Sequence, residues 1–261
     1  MNTPQPAPPR LSGRIAAVWR RNFLVWRKLA LPSIVGNLAD PVIYMLGLGY
    51  GLGMLVPEVG GQSYIALLAG GTLCYSTMNA ATFEVLYSSF SRMHVQKTWD
   101  AILNAPVSLA DIVAAELLWA ASKATMAGLA ILAVIALFGY TASPLALAAL
   151  PVVFLTGLAF AALGLIMTAL APGYDFFTYY FTLFITPMTL LSGVFFPRDQ
   201  LPGGFQLLAE LLPLSHAVAL ARPLLQGHWP VHAALHLVVL TACAGIAFAV
   251  ARVLMRRRLL K

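Results

Sequence analysis

Polar positions are sparse along this chain, and their placement divides it into apolar runs of membrane-crossing length. A helix rises about 1.5 Å per residue and a bilayer core is about 30 Å thick, so about 20 apolar residues suffice to cross. Six runs reach that length, at roughly 31–55, 64–90, 109–139, 146–171, 176–196 and 231–254. The stretch before the first run has a different period. In "RIAAVWRRNFLVWRKLA", Arg14 to Ala30, the residues Ile15, Val18, Trp19, Phe23, Trp26 and Leu29 share one helical stripe. Arg14, Arg21 and Lys28 recur every seven residues on the other side, with Arg20 beside them. A basic helix with tryptophans on its apolar face is expected to lie in the membrane interface. Residues 1–10 are proline-rich and read as a disordered tail.

The fifth run breaks off after Phe196. Pro197, Arg198, Asp199 and Pro202 follow, with two glycines, and then "FQLLAELLPLSHAVALARPLLQ" resumes as two short amphipathic pieces divided by Pro213. Neither piece is long enough to cross. Such backbone is tolerated at membrane depth only where protein covers it. The insert 197–230 is therefore expected to be a re-entrant helical hairpin between spans five and six, capping a protein-lined space. The fold class expected is an all-α integral membrane protein with six transmembrane helices and an N-terminal interfacial helix.

Composition agrees: 60% of the 261 residues are hydrophobic and 10% charged, against about 25% charged in a soluble domain. The net charge of +7 invites a nucleic-acid reading, but the basic residues cluster at the ends of apolar runs, as in the cytoplasmic flanks of membrane helices. With the N-terminus in the cytoplasm, Arg10, Arg14, Arg20, Arg21, Arg27, Lys28, Arg92, Lys97, Arg252, Arg256, Arg257, Arg258 and Lys261 are inside. Arg198 and Arg222 are outside, and Lys123 lies within a span. Both termini are thus expected in the cytoplasm, and nucleic acid is not expected as a partner. No cleavable signal peptide is evident. Cys74 and Cys243 both fall within apolar segments and read as packing residues.

The loop "SRMHVQKTWDAILNAPVSLADIVAAE", Ser91 to Glu116, is unusually ordered for its place. Thr98 can cap a short helix over 98–104 that carries Trp99, Asp100, Ile102 and Leu103, and Asn104 and Pro106 end it. That helix either transmits force from a soluble partner or rests on the headgroups. Lys123 is a charge within a span, which marks a functional suspect. Glu116 precedes it by seven residues, and Glu84 sits at similar depth on span two, so an ion pair is expected there, structural or gating. Asp40-Pro41 interrupts the first span, which is expected to start near Leu31 and kink at Pro41. "GLGYGLG" beyond it carries two overlapping spacings suited to close helix approach. His228, His232 and His236 recur every four residues, but Pro230 disrupts the turn and no carboxylate is near, so packing rather than a metal is expected. Aromatics crowd the start of span five. Phe177, Tyr180, Phe181 and Phe184, with Phe195 further on, could wall a path for an amphiphile or sugar, or face lipid.

A phosphate-binding loop requires G-x-x-x-x-G-K-[ST]. The sole Lys followed by Ser or Thr is Lys97-Thr98, with Gln96 and Ser91 where glycines belong. A nucleophile elbow is missing too. No catalytic residue and no cofactor of its own are expected; if ATP drives this protein, another chain hydrolyses it. An ion-coupled secondary transporter would need intramembrane carboxylates, for which Asp40 and Glu84 are candidates. A membrane acyltransferase would need an acid, base or nucleophile cluster, for which His216 with Glu210 is a thin case.

The stretches "GNLADPVIYMLGLGYGLG", "ATFEVLYSSFSRM", "TWDAIL", "ADIVAAELLWAASKA", "GLAFAALGLIMTALAPGYDFF", "TPMTLLSGVFFPRDQLP" and "LPLSHAVALARPLL" resemble permease subunits of ABC-2 type exporters. Within these they are similar to the Nod-type (NodJ-like) permeases, which export nodulation lipo-chitooligosaccharides. Pro106 and Ser108 follow the pattern of ABC-2 exporters in general. The resemblance implies a homodimer of half-transporters in the bacterial inner membrane, paired with a separate ATPase that holds ATP and Mg²⁺. It implies that Thr98–Leu103 with Pro106 is the coupling helix seated in that ATPase, and that Trp19, Arg20, Arg21 and Trp26 belong to a connecting helix. It implies finally that the insert at Pro197, Arg198, Asp199 and Pro202 is an external lid over the path of an amphiphile such as a lipo-oligosaccharide, glycolipid or drug.

Overall fold

The computed structural model describes residues 12–59, 61–141 and 143–259; the tail expected at 1–10 lies outside them. Helix α1 (Ile15–Arg27) turns a corner into α2 (Ala30–Gly51), which takes Pro32 into its first turn and Pro41 into its middle. A two-residue antiparallel hairpin that the sequence did not announce follows, β1 (Glu58–Val59) and β2 (Gln62–Ser63). Helix α3 (Tyr64–Phe83) then runs on through two π-helical stretches, Glu84–Ser89 and Ser91–Val95. Its helical path thus extends past the expected end at 90.

A short α4 (Thr98–Leu103) starts from Lys97, not from a Thr98 cap: Lys97 is left-handed at φ 53°. Helix α5 (Leu109–Leu137) starts from a full capping box, in which Ser108 accepts from the Asp111 amide and Asp111 from the Ser108 amide. Such reciprocal bonds satisfy two donors a helix start leaves open. Helix α6 (Ala149–Leu170) follows a 3₁₀ turn at Pro144–Ala148. Then come α7 (Phe176–Tyr180), a π-helical turn at Phe181–Ile185, α8 (Thr186–Leu191), α9 (Gly203–Leu211), α10 (Pro213–Leu225) and α11 (Ala233–Leu259).

Helix α3 is the hub: α2, α5, α6 and α10 all pack on it, and α11 closes over α6. Four described helices are long and apolar enough to cross a membrane: α2, α5, the Pro144–Leu170 stretch and α11. Helix α3 matches them in length, yet Thr72, Ser76, Thr77, Asn79 and Thr82 dilute its hydropathy. Most of these face the bundle interior.

The expected fifth span over 176–196 is shorter than expected. The helix ends at Leu191 because Gly193 turns left-handed at φ +78°. Phe176–Leu191 measures about 24 Å, less than a core of about 30 Å. The expected insert does break in two, with α9 and α10 bent by 88° at Leu212-Pro213. Its second arm is more than a lid. Leu214, Ala217, Leu220, Ala221 and Leu224 are buried, and α10 packs against α3, α6 and α11.

Two glycines on α3 admit this arm and the turn after α8. A Cβ on Gly70 would stand 2.8 Å from Arg222 Cα, and one on Gly71 would stand 2.1 Å from the Val194 carbonyl oxygen. Small residues permit such backbone approach.

Helix α1 also departs from expectation. Its apolar stripe, read as lipid-facing, is turned onto α5 of its own chain: Trp19, Phe23 and Trp26 surround the buried Trp119 at 6.1, 6.3 and 5.9 Å between ring centres. Trp19 Nε1 donates to Ser122 Oγ at 3.2 Å.

Candidate functional site

Two sites stand out, one beneath α1 and one along the flank of α3. The first is an ion network. Arg92 Nη2 lies 2.9 Å from Glu84 Oε1 and 2.5 Å from Glu116 Oε2, while its Nε donates to Glu116 Oε1 at 3.0 Å. Lys123 Nζ lies 2.8 Å from Glu84 Oε2. Glu84 and Glu116 are only 3% and 1% exposed, so every remaining lone pair needs a donor. Trp119 Nε1 supplies one to Glu84 at 2.8 Å. Asn22, Ser89 and Trp99 supply Glu116 at 3.2, 3.0 and 3.3 Å. Glu116 thereby ties α1, the end of α3 and α4 to α5.

Arg21 stands next to this network, donating to Asn22 Oδ1 at 3.0 Å. Burial first, then the like charge of Arg92, lower its pKa from the ordinary guanidinium value against the pull of Glu116. An arginine so shifted stays protonated at neutral pH.

A second set of bonds ties α1 to the segment after α4. Ser12 N donates to Asp111 Oδ1 at 2.7 Å, Ser12 Oγ bonds Asp111 Oδ2 at 3.0 Å, and the Arg14 guanidinium donates to the Pro106 carbonyl. These bonds fasten the start of α1 to the α4–α5 connection and to the first turn of α5.

The second site is a cavity of about 730 Å³ between α2, α3 and the α7–α8 stretch. Tyr44, Tyr75 and Phe195 cluster at one end, with ring centres 6.2–6.3 Å apart. Phe83 and Phe181 meet at the other, tilted, with ring centres 4.7 Å apart. Between them lie Asn37, Asp40, Ser76, Asn79, Thr186 and Thr189. Ser76 Oγ is buried without a partner, and Asp40 forms no salt bridge among the described residues. Aromatic faces with scattered hydrogen-bonding groups can hold an amphiphile with a hydroxyl-rich part. Beyond it, Arg222 clamps the turn after α8, donating to Gly193 O at 2.5 Å and Leu67 O at 3.2 Å.

The family model for ABC-2 type transporters matches residues 14–225. The chain belongs to the ABC-2 type transporter family. It is 53% identical over 244 residues to Nodulation protein J of Rhizobium meliloti (strain 1021), covering 94% of this chain and 93% of that one. It is 50% identical over 245 residues to Nodulation protein J of Bradyrhizobium diazoefficiens, covering 94% of each. More distantly, it is 24% identical over 206 residues to the inner membrane transport permease YadH of Escherichia coli (strain K12), covering 78% of this chain and 80% of that one.

The residues that an ABC-2 permease reading singles out do not all sit where the sequence suggested. Of the expected coupling-helix residues, Trp99 is fully buried and Ile102 and Leu103 are half-buried. Asp100 and Pro106 are exposed and Thr98 is half-buried, so the free face of α4 is Asp100 with Ala101 and Asn104. Of the expected path aromatics, Phe181 and Phe195 line the cavity. Phe177 and Tyr180 are buried in the core, Phe177 against Phe90 at 5.2 Å, and Phe184 is exposed outside the cavity. The π turn at Phe181–Ile185 widens the helix and takes Phe184 out of α-helical phase with Phe177 and Tyr180, which precede it.

Lys123 meets Glu84, and Glu116 meets Arg92. Asn22, Arg92, Tyr44, Tyr75 and Arg222 were missed. Asn22 had a signal: it is the polar interruption between Val18 and Trp26 on an otherwise apolar stripe. Pro197 leads the 3₁₀ turn Arg198–Gln200, and Pro202 precedes α9. Gln206 bonds the Asp199 and Leu201 carbonyls at 3.1 and 2.8 Å to hold that turn. Among the described residues no three His, Cys, Asp or Glu side chains gather as a metal site. His236 instead meets His216, Nδ1 to Nδ1, at 2.7 Å.

Proposed function

We propose that the chain is the membrane half of an ATP-driven exporter. Two copies would enclose a path for an amphiphile across the bacterial inner membrane. The observation that carries this reading is the cavity between α2, α3 and α7–α8. It is aromatic at both ends and polar between them, and α2 leaves its flank largely uncovered by the rest of the chain. A second copy facing that flank would close the path, and α9–α10 would lie above it.

In this reading the chain crosses six times with both termini in the cytoplasm, where the arginines of α1, the α3–α4 segment and the end of α11 collect. A separate ABC ATPase, with its own ATP and Mg²⁺, would dock on Asp100, Ala101 and Asn104 of α4. Trp99, bonded to Glu116, would carry the push into α5 and α1. The relatives named for nodulation favour a lipo-oligosaccharide or glycolipid as cargo, and YadH, named simply a transport permease, leaves a drug-like amphiphile as the alternative.

Co-reconstitution with the ATPase tests the reading: a labelled amphiphile should cross vesicles only with both chains and ATP. Asp40, a carboxylate in mid-helix with no salt bridge among the described residues, favours the rival reading of an ion-coupled carrier. Transport driven by a proton gradient alone, without the ATPase, would establish that rival.

A further inference from the structure

The corner where α1 passes into α2 encloses a cleft of about 840 Å³, lined on its polar side by Arg21, Glu84, Arg92 and Lys123 and flanked by Trp26 and Trp119. It shares no residue with the cavity along α3. Its charges do not cancel. Glu84 and Glu116 are matched by Arg92 and Lys123. Arg21 is the surplus cation: its side chain bonds neutral Asn22, and it forms no salt bridge among the described residues. A half-buried guanidinium of this kind is stabilised by an anion, and phosphate oxygens match its fork of donors.

The mouth of the cleft has the opposite character. Val25, Leu29 and Pro32 line its apolar side, and the first turns of α2 also expose Leu31 and Val35, at 74% and 57%. Trp26 Nε1 donates to Ser33 Oγ at 3.0 Å, bracing the corner itself. Tryptophans beside a basic residue, with an apolar strip leading away, are the surroundings of a lipid headgroup at the bilayer boundary.

We propose that this cleft binds the headgroup of an anionic phospholipid, one per chain, with its phosphate on Arg21 and its acyl chains along Leu31 and Val35. A free phosphate would leave the apolar rim without a use. A zwitterionic lipid would bring its cationic end toward Arg92 and Lys123. A bound lipid would brace the contact of α1 with α3 and α5 next to the network that holds α4. The inference stands whether or not the chain exports anything.

The test is native mass spectrometry of the purified full chain in neutral detergent, titrated with phosphatidylglycerol or phosphatidylcholine of matched acyl chains. The first phosphatidylglycerol should bind on the order of tenfold tighter than phosphatidylcholine. Arg21→Gln should erase the difference, Arg21→Lys should keep most of it, and Arg27→Gln, on the exposed side of α1, should leave it intact. Equal affinity for the two lipids in the unaltered chain overturns the proposal, and so does a preference that survives in Arg21→Gln. If Arg21→Gln does not fold, the comparison in the unaltered chain decides alone. Inorganic phosphate that raises the thermal midpoint as much as phosphatidylglycerol does would identify a free-anion site and also overturn it.

Discussion

Arg92→Gln puts the ion network under direct strain. Glu116 is 1% exposed and Arg92 12%, so neither charge can be rescued by water. The substitution deletes two bonds to Glu116, from Nε at 3.0 Å and Nη2 at 2.5 Å, and one to Glu84 at 2.9 Å. Glu84 keeps Lys123 at 2.8 Å. Glu116 keeps only neutral donors, Asn22, Ser89 and Trp99. Leaving one buried charge uncompensated costs roughly 3–5 kcal/mol. For a chain of this size that is a fall in the thermal midpoint of about 6–20 °C.

The double variant Arg92→Gln/Glu116→Gln separates a charge effect from lost packing. It removes the orphaned carboxylate and should recover about 2 kcal/mol or more relative to Arg92→Gln. Thermal unfolding in detergent, followed by tryptophan fluorescence, measures both. A fall below about 2 °C for Arg92→Gln, with no recovery in the double variant, would refute the reasoning: the carboxylates would then be solvated and the network energetically idle.

Other substitutions probe the remaining sites. Gly71→Val drives a side chain into the Val194 carbonyl and should destabilise by about 1–3 kcal/mol or more through overpacking, whereas Gly173→Ala, with open space around it, should leave the midpoint unchanged; the same unfolding assay reads both. Trp99→Ala empties a fully buried site and should lose about 3–5 kcal/mol. Trp99→Phe removes mainly the bond to the charged Glu116 and should lose about 1.5–3 kcal/mol. Asp100→Ala, exposed on α4, should keep stability within about 0.5 kcal/mol but weaken co-purification of the ATPase, and undiminished co-purification would move the docking face elsewhere. Asp40→Asn should leave the fold intact and slow ATP-driven transport of a labelled amphiphile in proteoliposomes; an unchanged rate would remove Asp40 from the path.

Residue order alone determined where most helices run, because crossing a bilayer depends on the transfer free energy of one contiguous segment. The runs near 31–55, 109–139 and 231–254 correspond to α2, α5 and α11 within a few residues at most ends, and Pro213 marks the bend between α9 and α10. Strings such as "LSGVFFPRDQLP" were enough to suggest the family. The ordered segment at Thr98–Leu103 was legible too, since a short apolar pattern framed by Lys97 and Pro106 is local information.

Tertiary structure decided the rest, through contacts that no local window contains. Lys123 lies against Glu84, whereas Glu116 is joined to Asn22 across 94 positions and to Arg92 across 24, partners that no local window offers. The stretch after Leu191 turns away because Arg222, 29 positions on, holds the Gly193 carbonyl, and hydropathy alone carried that run on to Phe196. A π turn re-aims Phe184 relative to the aromatics before it, and Trp119 draws the stripe of α1 onto α5. Hydropathy is a property of segments, whereas the pairing of buried polar groups is a property of the packed bundle, where each one must find a donor or acceptor in whatever helix lies beside it.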